Sequence, residues 1–296
     1  MRTPNKKQAW GLDLCGYSNK ATLACAEVID CKISVILFSD HPFAVKKKPW
    51  DMLSANDNDQ VGDEVGFINS MVKESLYVDC PIDLQKLGAA AGKKFKWELD
   101  KRSVDQALKG LSPLASLLGA LVTRFRSVLE RANSLERVGK NVFETYPAVS
   151  LELWRTEGLE KEKSDPYKSS GGIKWLVNDN QWVACDNSEK KESQLAKIVN
   201  KLNIVPTNIQ HEESLNHHEL DAILCALTGV SYFNDDDLLK EVKNRLLVQM
   251  TEQGIREETK REVLESVSLP NGYRLCDLNK LKKPIILERK PWPPEG

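Results

Sequence analysis

The sequence predicts an α/β protein, a mixed sheet with helices packed on its faces. Three observations carry that prediction. The first forty residues hold three β-rich segments separated by very short breaks, which implies an antiparallel meander. Beyond them, strand candidates alternate with helix candidates, the order that covers a sheet with helices. The 296 residues are 41% hydrophobic and 29% charged, the make-up of an ordinary folded chain rather than a collagen-like, disulfide-stapled or disordered one.

The strand segments are WGLDLCG (10–16), ATLACAEVID (21–30) and KISVILFSD (32–40). Residues 46–60, with a basic run, Pro49 and polar breakers, read as a loop. Val65, Phe67, Ile68, Met71 and Val72 give a helical period over 61–75, and SLYVDCPIDL (75–84) returns to strand character. Residues 85–138 read as a helical insertion, with a stripe of Leu114, Leu117, Leu118, Leu121, Phe125, Val128 and Leu129. NVFETYP (141–147) is a strand closed by Pro147, and a polar loop region holding SDPYKSSGG (164–172) follows. SQLAKIVNKL (193–202) and SLNHHELDAILCALTGVSYF (214–233) are the next helices. Asn234 and three aspartates cap another, whose apolar residues between 238 and 250 form a candidate homo-oligomer face, and the tail KPWPPEG is extended.

Charge and leader patterns limit the function classes. Lys and Arg number 42 against 43 Asp and Glu, a net charge of −1, so nucleic acid would have to be met by local patches rather than bulk charge. No run approaches the roughly 20 apolar residues of a membrane span, and residues 1–8 do not lead into an export signal. The expectation is a soluble, cytoplasmic protein with no membrane partner. The seven cysteines are odd in number and none is spaced C-x-x-C, which fits reduced thiols rather than a disulfide or zinc framework. A Cys80 or Cys185 nucleophile with His217 or His218 is a minor alternative.

Four acids interrupt apolar elements: Asp13 in GLDLCG, Asp79 in LYVDCP, Glu144 in VFETYP and Asp221 in HHELDAILCAL. A carboxylate buried in such a segment costs several kcal/mol unless it is paired or coordinates a cation. A shared explanation is a divalent metal, Mg²⁺ or Mn²⁺, which takes hard oxygen ligands and activates water against a phosphodiester. The ordinary alternative gives each acid a separate job in a turn, a salt bridge or a helix start.

The motifs GLD (11–13), VDCPI (78–82), ETYPA (144–148) and LDAILCALT (220–228), with Tyr167–Lys168 after the third, resemble those of a family of predicted RNase H-like nucleases, so far defined as a domain of unknown function. The resemblance covers about residues 10–233. It implies an RNase H-like fold, close in layout to RuvC-type resolvases, with acids on the first strand, the fourth strand and a late helix converging at one end of the sheet. It divides the chain into an RNase H-like domain (1–233, with the helical insertion at about 85–138) and a C-terminal helical extension (234–296). It further implies a metal-dependent nuclease acting on DNA or RNA, with Asp13, Asp79 and Asp221 at metal-ligand positions and Glu144 completing the set.

His218 lies one turn before Asp221 and is read as a ligand or general base, against a solvated helix-start histidine. Lys168 is a candidate point charge for the scissile phosphate. Lys93, Lys94, Lys96 and Trp97, with the insertion's arginines, form a candidate basic approach surface or an ordinary solvated face. Two other functions fit the same residues: an actin-like or sugar-kinase-type ATP-binding protein, since GLDLCGYSNKATLACA is similar to a phosphate-binding hairpin, and a non-catalytic RNase H-like binding module.

Overall fold

The computed structural model describes residues 8–14, 21–44, 57–84, 101–109, 116–154, 166–169, 171–185 and 193–292. The meander forms as expected from β1 (Gln8–Asp13), β2 (Thr22–Ile29) and β3 (Lys32–Ser39), with Asp13 opposite Thr22 and Ile29 opposite Lys32. Asp30, at φ +48°, makes the tight reversal between β2 and β3, a conformation that Asp tolerates better than a β-branched residue would.

β4 (Ser75–Asp79) runs parallel to β1, and β5 (Val142–Thr145) parallel to β4. On the other side, β10 (Ile285–Pro291) lies parallel to β3 and β8 (Ile204–Pro206) parallel to β10. The described strands thus make one seven-stranded sheet in the order β5-β4-β1-β2-β3-β10-β8. Only β2 runs against the rest, so six strands present their carboxyl ends along one edge. A second, three-stranded sheet in the order β7-β6-β9 is formed by β6 (Ile173–Leu176), β7 (Gln181–Ala184) and β9 (Ser214–Leu215).

Helices cover both faces of the large sheet. On one face, α1 (Asp57–Ser70) and α3 (Ser116–Arg131) bury Phe67, Ile68, Phe125 and Leu129 against Trp10, Leu12, Leu76 and Val78. Between them, the buried Glu64 carboxylate pairs with Arg124. α2 (Ser103–Ala107) is the described part of the remaining insertion; Lys93, Lys94, Lys96 and Trp97 lie outside the described residues.

The opposite face carries α7 (His217–Val230), in which every residue from Leu220 to Thr228 is buried. A helix apolar all round belongs in a core, and here it packs on the sheet in one buried cluster with residues of α6 (Gln194–Lys201) and with Trp175 and Trp182 of the small sheet. Two glycines permit the contact. A Cβ on Gly11 would lie 2.2 Å from the Ala226 nitrogen and 2.3 Å from the Ala222 oxygen, and one on Gly229 would lie 2.2 Å from the Ala9 Cβ. The α7 backbone therefore rests directly on β1.

Two expectations are corrected. Pro147 does not merely close β5: it is the first residue of α4 (Pro147–Leu153), a position where proline's missing N–H costs nothing. The segment 234–296 is helical through α8 (Asp235–Glu252) and α9 (Glu257–Ser266), then returns as β10 to the large sheet, so it is not a helical extension throughout. The apolar stripe of α8 (Leu238, Val242, Leu246, Met250) packs on Val104, Leu108, Val263 and Tyr273 within the chain, whereas Leu247 and Val248 of the same helix are exposed. Among the described residues no helix is long and apolar enough to cross a membrane, and the six described cysteines are free.

Candidate metal centre

The parallel register of β1 and β4 sets two acids side by side. Leu12 pairs with Val78, so Asp13 and Asp79 end adjacent strands at the carboxyl edge. Successive residues of a strand point to opposite faces. Leu12 and Val78 enter the core beneath α1 and α3, which turns Asp13 and Asp79 toward α7. The close seating of α7 on Gly11 then brings Asp221, from its second turn, over the same point. One carboxylate oxygen from each of Asp13, Asp79 and Asp221 lies within 4.8 Å of the others.

Glu144 is not part of this group. Its partner in the register is Val78, whereas Thr145 is the one that pairs with Asp79. Glu144 therefore projects from the opposite face, while the Thr145 hydroxyl meets Thr228 of α7 at 3.3 Å. Arg102 grips the Glu144 carboxylate through two contacts of 2.5 and 2.8 Å, and the Ile82 N–H donates to it at 2.9 Å. The same guanidinium donates to Asp105 and to the Asp83 carbonyl. Burial pulls the Glu144 carboxyl above its usual range, and Arg102 opposes that. This is a structural ion pair joining α2 to β5, so the sequence grouping of four acids reduces to three. Arg102 carried no sequence signal, because an arginine's partner is visible only after folding.

Two basic side chains attend the triad. Lys168, on the short α5 (Pro166–Ser169), places Nζ 3.1 Å from Asp221 Oδ2, and the neighbouring Tyr167 hydroxyl donates to Asp221 Oδ1 at 3.0 Å. The Tyr–Lys pair thus belongs to the site. His218 Nδ1 lies 2.8 Å from Asp13 Oδ2, and its ring is 4.0 Å from that of His217. Cys80 faces the other side of the sheet, its thiol held protonated chiefly by burial, which removes it as a nucleophile beside these histidines.

The electrostatics follow from burial and crowding. Desolvation, partly offset by Lys168, pushes the Asp221 carboxyl up to about 7, with the Asp13 charge adding to the rise. Asp79 is also raised well above its ordinary value, by burial first and then by repulsion from Asp13 and Asp221. Burial works against the Lys168 charge, but Asp221 and Asp79 outweigh it and hold the ammonium protonated. The hydrogen bond to the Asp13 carboxylate, which accepts, raises the His218 imidazole above its ordinary value. Three carboxylates that repel one another in a low-dielectric site favour a multivalent cation, and an all-oxygen donor set suits Mg²⁺ or Mn²⁺. Comparison of the chain with protein-family models, with curated proteins and with solved structures finds no match to any of them.

Proposed function

We propose that the protein is a metal-dependent nuclease of RNase H-like fold that hydrolyses nucleic-acid phosphodiesters. The observation that carries the reading is the convergence of Asp13, Asp79 and Asp221 at the carboxyl edge of the sheet. Its support is the match to the layout that the sequence resemblance implies: one acid on the first strand, one on the fourth, one on a late helix. The meander followed by two parallel strands, in the order β3-β2-β1-β4-β5, supports the same fold.

In this reading Asp13, Asp79 and Asp221 hold Mg²⁺ or Mn²⁺, which when bound supplies charge stabilisation and an activated water to the phosphodiester. His218 orients the Asp13 carboxylate through its 2.8 Å contact and stores a proton at the edge of the site. Lys168 neutralises Asp221 and offers a point charge to a phosphate oxygen. Glu144 takes no part in the chemistry.

The test is cleavage of labelled single-stranded, duplex and branched DNA and RNA in Mn²⁺, Mg²⁺ or EDTA, alongside Asp13→Ala. Cleavage that needs metal and vanishes in the variant is the expected result. Absence of metal-dependent cleavage on every substrate, with ATP bound tightly in calorimetry, would replace the nuclease reading with a nucleotide-binding one.

A further inference from the structure

A cavity of about 640 Å³ adjoins the triad on the side of β3 and β10. Thr22, the register partner of Asp13, lines it together with His218, the residue bonded to Asp13, so it borders the Asp13 side of the triad with His218 standing between the two. It lies at the carboxyl ends of β3 and β10, the edge where open α/β sheets bind their ligands. Its volume falls within the roughly 300–1,000 Å³ of small-molecule pockets.

The lining is chemically mixed and electrically balanced. Leu37 and Ala44 give apolar wall; Ser39 and Asn216 give neutral polar groups. Arg289 is held by Glu213 and Glu219, and Lys290 by Glu288, so the basic residues are already matched within the fold. A wall of this kind is poorly suited to a string of phosphates. It suits a neutral, partly aromatic unit bearing hydrogen-bonding edges, with any charge lodged outside at the metal centre.

Resting on the nuclease reading, we infer that this cavity receives the sugar and base of one nucleotide whose phosphate sits at Asp13, Asp79 and Asp221. A base can enter it only when it is unpaired, because a duplex base is shielded in its stack. The preferred substrate is therefore an unpaired strand or strand end, and the pocket rather than the acids makes the choice.

The test measures anisotropy of a labelled single-stranded oligonucleotide and of its blunt duplex, with Mn²⁺, on the full chain and on Ser39→Trp. Ser39 is exposed at the cavity mouth, and the melting midpoint of the variant checks its fold. Pro291→Trp, at a second exposed position of the lining, is the second variant should the first melt early. The expectation is single-strand binding at least about tenfold tighter than duplex binding, with a loss of about tenfold or more in a folded variant. Competition by a 5′-mononucleotide assigns the pocket to a strand end, and its failure to compete assigns it to an interior unpaired unit. Equal binding of duplex, or unchanged binding in folded variants, overturns the inference. Hydrolysis of bis(p-nitrophenyl) phosphate by the wild-type chain is followed in parallel, because this small ester needs the metal centre but no base pocket. Its hydrolysis beside a failed binding test leaves the nuclease reading standing; its absence beside successful binding overturns that reading and leaves the pocket assigned.

Discussion

Asp79 and Glu144 sit on adjacent parallel strands one register position apart, and that single step sends their side chains to opposite faces of the sheet. Asp79 joins a repelling cluster, whereas Glu144 meets an arginine. Their substitutions should therefore have opposite signs.

Asp79→Asn is expected to abolish Mn²⁺ binding while making the metal-free protein more stable, because desolvation and repulsion from Asp13 and Asp221 together disfavour the Asp79 charge more than Lys168 favours it. Relief of about 1 kcal/mol raises the melting midpoint by roughly 2–4 °C in a chain of this size class. Calorimetric titration with Mn²⁺ and a melt in EDTA measure the two effects. A lower midpoint in EDTA would show that the attraction of Lys168 for Asp79 outweighs burial and repulsion.

Glu144→Gln should leave metal binding intact and destabilise the fold. Arg102 would keep its Asp105 partner but lose a buried, bidentate one, and breaking a buried pair typically costs about 3–5 kcal/mol. Urea unfolding together with the Mn²⁺ titration checks this. Loss of metal binding in a folded variant would return Glu144 to the site.

The metal-free protein should lose stability as pH rises from about 4 to 7. Asp221 stands at about 7 in the fold against 3.8 as a model carboxyl, so between those values the folded state binds more protons than the unfolded one. Stability is complete below the lower value and is lost as pH rises through the upper one. His218, also raised, acts in the same direction above its ordinary 6.5. Urea midpoints in EDTA across pH 4–8, with Asp221→Asn as the flattened control, test the slope. Saturating Mn²⁺ should weaken or reverse it, since a metal competes with those protons.

Gly11→Ala places a methyl group against the α7 backbone at distances that neither partner can absorb. A destabilisation of at least about 2 kcal/mol is expected, by overpacking. Because Asp221 rides on α7, Mn²⁺ affinity should fall as well, although no acid has been touched. Equilibrium unfolding and metal titration on the same preparation separate the two effects.

Much of this was legible in the sequence, and the reasons are local. β1 to β3 are rich in β-formers with short breaks between them, and α7 and α8 have caps and sustained apolar patterns, so both kinds of element announce themselves. Asp13, Asp79 and Asp221 were visible because each charge interrupts an apolar run. The face on which Glu144 projects was not, because it depends on β5 pairing with β4 across more than sixty residues. The β6–β7 hairpin has four-residue strands inside a polar stretch, too short for alternation to register. β10 ends in a charged, proline-containing sequence that reads as a tail, and its strand character comes from the neighbours on either side.

That last strand also has a temporal consequence. Ile285 pairs with Ile33, a partner synthesised 252 residues earlier. At about 5–20 residues per second, the ribosome needs roughly 13–50 s to deliver it. Through that interval the nascent chain holds β3, with Ile33, Val35 and Leu37, without the neighbour that finishes its outer edge. Such an edge invites pairing with other chains. The central sheet can close only late in translation, and a chaperone that shields β3 until then would govern how much of the protein reaches its folded form.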